Sequence, residues 1–187
     1  MDKLSGKIAL ITGAAVGLGE GIAQVYAKYG AKLCLFDLDP HVEVTAQKLR
    51  DHYHQDIISF IGDVSNRQDL EEAVTLTLEK FGSLDIACCN AGICRLAPFD
   101  RMSDQIRDQH IDVNIKGVWN SCQASLKPML KQGYGSIVIA SSVTGDLVAD
   151  AGEAAYAMTK SALVGLTKAL AVEYAHKNIR INCTQLG

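Results

Sequence analysis

Apolar residues recur along the chain in short, nearly unbroken runs, separated by longer stretches with an apolar face. The runs are Ile8–Ile11, Lys32–Phe36, Ile57–Ile61, Leu84–Cys88, Ser136–Ala140 and Ile179–Cys183. Near-continuous hydrophobicity of this length predicts strands covered on both faces, as in a parallel sheet. The stretches between them predict helices over Leu18–Tyr29, His41–His52, Arg67–Lys80 and Glu153–His176, with one long helix or a broken pair over Ser103–Lys131. Ser65, with Asp69 nearby, and Ser103 read as helix starts. Gly30 and Gly82 fall where a helix end wants a left-handed residue. Strand and helix thus alternate throughout, which predicts a doubly wound α/β sheet with right-handed crossovers and helices on both faces. No repeat, low-complexity tract or linker breaks the rhythm, so residues 1–187 are expected to form a single domain.

Composition narrows the function classes. Apolar residues at 48% and charged residues at 21% are a soluble globular balance. A net charge of −3 supplies no basic field for nucleic acid or an anionic membrane. The apolar run before Thr12 is too short for a signal-peptide core or a spanning helix, so a cytoplasmic location is expected. The six cysteines show neither a CxxC pair nor zinc-like Cys/His spacing. They read as buried reduced thiols, no metal is expected, and Cys88 and Cys89, as strand neighbours, point to opposite faces. Cys94 falls just after a loop expected beside a cofactor. His52 and His54 read as surface residues.

The candidate chemistry begins where the first strand enters Thr12-Gly13-Ala14-Ala15-Val16-Gly17-Leu18-Gly19. A glycine-rich turn between strand and helix lets backbone approach a pyrophosphate resting on the helix N-terminus. Glycine spacing alone is a weak signal. Here a strand precedes it, a helix follows, and Asp37 ends the second strand 18 residues past Gly19. A carboxylate there accepts hydrogen bonds from ribose hydroxyls and repels a 2′-phosphate, Val16 offers no cation, and Lys32 lies at the far end of its strand. NAD is therefore expected over NADP. Asp63-Val64 and Asn90-Ala91-Gly92 follow the third and fourth strands, at the carboxyl ends where such sheets bind ligands, although the latter triplet alone reads equally as an ordinary turn.

Tyr156 and Lys160 are spaced i, i+4 near the start of the last long helix, which places phenol and ammonium on one face. A nearby cation lowers a tyrosine pKa toward a range useful for proton transfer. A lone YxxxK also occurs by chance. Ser141-Ser142, at the end of the fifth strand, supplies a hydroxyl able to hold a substrate oxygen. Asn114, polar among Val113, Ile115 and Val118, needs partners if buried, and a kink with bound water explains it without catalysis.

Together these residues resemble the short-chain dehydrogenase/reductase family. Thr12, Gly13, Gly17 and Gly19 match its T-G-x-x-x-G-x-G, Asn90, Ala91 and Gly92 its N-A-G, and Tyr156 and Lys160 its Y-x-x-x-K. Its asparagine and serine fall on Asn114 and Ser142. Gly92-Ile-Cys-Arg-Leu96, Asn114-Ile-Lys-Gly-Val-Trp-Asn120 and Ser141-Ser-Val-Thr-Gly-Asp146 look like one branch, the UcpA-type oxidoreductases. The resemblance implies a Rossmann-like NAD(P)-binding domain and reversible hydride transfer between NAD(H) and a carbonyl or secondary alcohol. It implies Asn114, Ser142, Tyr156 and Lys160 as the catalytic set. Ser142 orients the substrate oxygen, Tyr156 is the general acid/base, Lys160 depresses its pKa and holds the nicotinamide ribose, and Asn114 supports a relay water. It assigns the cofactor to Thr12, Gly13, Gly17, Leu18, Gly19, Asp37, Asp63, Val64, Asn90, Ala91, Gly92, Tyr156 and Lys160. It further implies a homo-oligomer built on the two long helices.

Two departures stand out. Ser142 and Tyr156 are 14 residues apart, one more than usual, which the loop Asp146–Gly152 absorbs. Leu186 stands where a Pro-Gly element is expected, so the domain is read as incomplete at its C-terminus, lacking the final strand and substrate lid and leaving Ile179–Cys183 an uncovered edge. Arg95, Leu96 and Phe99 are expected to border the cleft. The alternative is a truncated, weakly active or inactive NAD-binding product that dimerises with full-length relatives.

Overall fold

A computed structural model describes residues 3–187. Six parallel strands, β1 (Ile8–Thr12), β2 (Lys32–Asp37), β3 (Ile57–Ile61), β4 (Ile86–Cys89), β5 (Gly135–Ser142) and β6 (Ile179–Leu186), form one sheet in the order β3-β2-β1-β4-β5-β6. The helices are α1 (Gly17–Lys28), α2 (His41–Tyr53), α3 (Arg67–Phe81), α4 (Asp104–His110), α5 (Val118–Gln132) and α6 (Ala154–Tyr174). This is the Rossmann-like doubly wound arrangement, and the strand order reverses between β1 and β4, where a crevice opens at the carboxyl ends of the strands.

Both faces of the sheet are packed. Ala9, Ile11, Leu33 and Leu35 meet Ala23, Ala27, Val42, Ala46 and Leu49 of α1 and α2 on one side. Leu10, Phe36, Ile137 and Ile139 meet Leu70, Val74, Cys122, Met129 and Leu163 of α3, α5 and α6 on the other. Cys88 and Cys89 join opposite clusters, as strand alternation requires. The edge strand β6 departs from the expected continuous burial: Ile179 and Ile181 are buried while Arg180, Asn182 and Thr184 are exposed. It also runs on to Leu186, because the ladder with β5 continues to Ser142↔Leu186.

Local signals fix most element ends. Ser103 accepts from Ile106 N at 3.3 Å as the α4 cap. Gly82 closes α3 at φ +88°, and Gly30 follows α1 at φ +90°. The start of α3 is corrected from Ser65 to Asn66, whose side chain accepts from Gln68 N at 3.1 Å, while Asp69 accepts from Asp63 N at 2.8 Å. The stretch expected as one long or broken helix is continuous but carries a π-helical turn over Ile111–Gly117, a device that recurs at functional sites. The expectation of buried thiols is corrected at two positions: Cys94 is exposed and Cys183 half-buried, whereas Cys34, Cys88, Cys89 and Cys122 are buried. Among the described residues no helix is long and apolar enough to cross a membrane, and no cluster of His, Cys, Asp and Glu is arranged to hold a metal.

Candidate active site

A cavity of about 700 Å³ opens at the carboxyl ends of the strands, within the size range of small-molecule sites. Its first end is the turn after β1. Gly13 sits at φ +67°, and a Cβ there would lie 2.8 Å from Ala91 Cα. Gly19 is helical, but a Cβ there would run into the Gly13 carbonyl. The two glycines therefore let three backbone segments close on one another. The N-terminus of α1, at Val16, has no side-chain cap, so its first N–H groups are free for an anion. Leu18 and Gly19 line the cavity beside it.

Asp37, the last residue of β2, also lines this end. Its Oδ2 accepts from Ala15 N at 2.8 Å and its Oδ1 from Asp39 N at 3.0 Å, so the carboxylate also shapes the glycine turn. Lys32 lies at the opposite end of the strand, paired with Asp56 at 2.7 Å. Asp63, Val64, Ala91 and Gly92 form adjoining wall. Asn90 lines the cavity too, while its Nδ2 donates to the carbonyls of Thr12 and Gly13 at 3.1 Å each. Thr12 Oγ1 accepts from Asn90 N and Ala91 N at 3.1 Å. Thr12 is buried behind the wall and clamps β1 to β4. Gly17, at φ +63°, is likewise off the wall.

Ser142, Tyr156 and Lys160 meet at the other end. The Lys160 ammonium is 5.5 Å from the Tyr156 ring centroid and donates to Ala140 O at 2.8 Å. Burial pushes its pKa down. Burial also pushes the Tyr156 phenol up, with Cys94 and Glu153 adding to the rise and the Ser142 hydroxyl opposing it. The Lys160 ammonium, meanwhile, is engaged by the Ala140 carbonyl. Ser142 Oγ donates to Leu186 O at 3.2 Å and accepts from Thr144 N at 3.1 Å. Ser141 Oγ instead donates to Lys160 O at 2.8 Å, tying β5 to α6.

Asn114 is fully buried in the π-helical turn, behind the cavity wall. Its Oδ1 accepts from Ile93 N at 2.8 Å, and its Nδ2 donates to Ile93 O at 2.9 Å and Thr159 Oγ1 at 3.0 Å. It links the loop after β4 to α6, beside the tyrosine. His110, one turn earlier, is also buried. Its Nε2 accepts from Arg95 N at 3.1 Å and its Nδ1 faces Ile106 O at 2.8 Å. Thr159 and His110 escaped the sequence reading, although the i, i+4 spacing of His110 and Asn114 on one helix face is a signal that could have found the pair. Glu153, at the start of α6, escaped it as well. Arg95, Leu96 and Phe99 do not line the cavity. Cys94 and Leu186 do.

A family model described as "short chain dehydrogenase" matches residues 7–187. The chain is 52% identical over 182 residues to "Oxidoreductase UcpA" of Escherichia coli (strain K12), covering 97% of this chain and 69% of that protein. Among solved structures it resembles a short-chain type dehydrogenase/reductase from Mycobacterium marinum, at TM-score 0.93 and 32% identity, covering 98% of this chain and 75% of the other. It also resembles carveol dehydrogenase from Mycobacterium avium in complex with NAD, at TM-score 0.92 and 31% identity, with 98% and 71% covered.

Proposed function

The chain belongs to the short-chain dehydrogenase family, whose members are oxidoreductases acting on alcohol or carbonyl groups, and on that footing we propose that it transfers a hydride between NAD(H) and a secondary alcohol or ketone. The observation that carries the reading is one cavity joining the glycine turn and Asp37 at one end to Ser142, Tyr156 and Lys160 at the other. The residues fit a dinucleotide: Cβ atoms at Gly13 and Gly19 would collide with Ala91 and the Gly13 carbonyl and force the turn apart, and the uncapped helix end suits a pyrophosphate. Bound NAD supplies the nicotinamide carbon that takes up or gives the hydride.

The chain's own residues do the rest. Ser142 holds and polarises the substrate oxygen. Tyr156 gives that oxygen a proton in reduction and removes it in oxidation. Lys160 binds the nicotinamide ribose, and its ammonium, 5.5 Å from the Tyr156 ring centroid, favours the phenolate. Asn114 acts through Ile93 and Thr159, holding the loop and helix that flank the tyrosine, and supports the water that returns the proton. Thr12, Gly17 and Asn90 keep the cradle open, while Asp63, Val64, Ala91 and Gly92 border the cofactor.

Asp37 sets the preference for NAD, since a carboxylate welcomes ribose hydroxyls and repels a 2′-phosphate. Asp37→Ser is expected to weaken NADH binding and strengthen NADPH binding, moving the ratio of dissociation constants by about 100-fold. Fluorescence titration with each nucleotide measures it. Equal effects on both nucleotides would remove Asp37 from the discrimination, and no binding of either by the wild-type protein would overturn the whole reading.

We also assign self-association to the long helices α5 and α6, supported by Trp119, Met158 and Val172, which stand 49%, 47% and 81% exposed there. Sedimentation velocity is expected to show a dimer or larger, and a monomer at micromolar concentration would refute the assignment.

A further inference from the structure

After β4 the chain runs from Asn90 to Pro98 without regular secondary structure, so no ladder or helix pairs its backbone groups. Side chains do so instead. Asn114 takes both groups of Ile93, at 2.8 and 2.9 Å. Two residues on, Arg95 N donates to His110 Nε2 at 3.1 Å, and Ala97 N donates to Gly152 O at 3.1 Å. Alternate residues are thus pinned at Ile93, Arg95 and Ala97, the first two by buried side chains one helical turn apart. The hydride-transfer reading uses Asn114 and leaves His110 without a part.

The two hydrogen bonds of His110 place its ring proton. A backbone N–H only donates, so Nε2 carries no proton. A carbonyl oxygen only accepts, so Nδ1, 2.8 Å from Ile106 O, carries the one the ring has. With the ring fully buried and both nitrogens engaged, one on its own helix and one on the loop, the imidazole has a single orientation. Arg95 also reaches Gln109 Oε1 through Nη1 at 2.7 Å, but that bond is exposed, where water replaces either partner. The segment pinned in this way is cavity wall: Ile93 and Cys94 line the cavity together with Ser142 and Tyr156. Cys94 stands between the two latched residues. Its Sγ lies 4.0 Å from Glu153 Oε1, one turn before Tyr156 on the chain, so the loop is seated against the start of the helix that carries the phenol.

We infer that His110 is a positioning residue for the hydride transfer, holding the Arg95 N–H so that Ile93 and Cys94 stand as a fixed wall for the substrate beside Ser142 and Tyr156. It touches neither substrate nor cofactor and acts through the loop backbone. The cofactor cradle does not depend on it, because Thr12 and Asn90 clamp that end by bonds of their own. The inference rests on the hydride-transfer reading, since a substrate must lie at Ser142 and Tyr156 for this wall to meet it.

The test separates substrate from cofactor. NADH-driven reduction of butan-2-one, cyclohexanone and acetophenone is followed by absorbance, and NADH affinity by fluorescence titration. His110→Leu, which accepts no hydrogen bond, is expected to raise the ketone KM about tenfold, the effect of one lost hydrogen bond. Turnover and NADH affinity stay within about twofold, because the lost contact serves ground state and transition state alike. His110→Gln, whose Oε1 reaches the place of Nε2, recovers most of the KM. Long-range proton–nitrogen correlation spectra of the wild-type protein are expected to show the His110 proton on Nδ1, a readout that stands even if the leucine variant does not fold. A proton on Nε2, equal KM values in wild type and leucine variant, or a glutamine variant no better than leucine would overturn the inference. So would NADH affinity falling in step with the ketone KM, which marks a general loosening of the fold. Each of these leaves the hydride-transfer reading standing, whereas a wild-type protein that binds NADH and reduces none of the ketones overturns both.

Discussion

Replacing Tyr156 with Phe is expected to lower hydride transfer by about 10²–10⁴-fold, the usual contribution of a positioned general acid or base, with NADH affinity nearly unchanged. Phenylalanine keeps the ring beside the Lys160 ammonium, 5.5 Å from its centroid, and removes only the hydroxyl that exchanges the proton. The same phenol predicts the pH behaviour. Burial holds its pKa above the ordinary tyrosine value, so it is protonated at neutral pH. Ketone reduction, which needs the protonated form, holds through neutrality and falls as pH climbs toward the phenol pKa. Alcohol oxidation, which needs the phenolate, rises over that same alkaline range. Steady-state rates with a secondary alcohol and its ketone, followed by NADH absorbance across pH, measure both limbs. A Phe variant within a few-fold of wild type, still showing the alkaline rise, would remove Tyr156 from the proton transfer.

Gly19→Ala should be nearly as damaging at the other end of the cavity, through shape and not chemistry. The added Cβ meets the Gly13 carbonyl oxygen and lies 2.7 Å from the Gly13 carbonyl carbon and 2.8 Å from Asn90 Nδ2. Gly13 cannot retreat, because Asn90 grips its carbonyl at 3.1 Å and Ala91 closes the space behind it. The cradle must open, at about 1–3 kcal/mol of strain, which appears as a roughly 5- to 150-fold loss of NADH affinity. Gly21→Ala is the control. It lies in the same helix with nothing within 4 Å of its added Cβ, and gains up to about 1 kcal/mol of helix propensity. Fluorescence titration of both variants decides the point, and equal NADH affinity in the two would show that the glycine turn is not the cradle.

Much of this site is legible in the amino-acid sequence. The strand runs, the glycine turn and Asp37 at a strand end are local patterns set by neighbours in sequence, and each falls on its element in the folded chain, although the fourth run, expected from Leu84, starts only at Ile86 and reaches Cys89. Polarity hid the strand ends: Ser141, Ser142, Thr184 and Gln185 do not look like strand, yet they pair in register because β5 and β6 lie side by side. The burial of Asn114 was foreseeable as a question, but its partners Ile93 and Thr159 are 21 and 45 residues away.

By itself the sequence determined the alternation of strand and helix, the parallel sheet, the glycine cradle, and the placing of phenol and ammonium on one helical face, since all follow from periodicity and spacing within a few turns of chain. The tertiary structure decided what those groups experience. It turned the Lys160 ammonium to the Ala140 carbonyl, half-buried the Tyr156 side chain, and made Thr12 and Asn114 clamps set back from the cavity wall. It brought Cys94 against Glu153 across 59 residues of chain. Burial and long-range hydrogen bonds depend on which segments pack together, and no spacing along one segment carries that information.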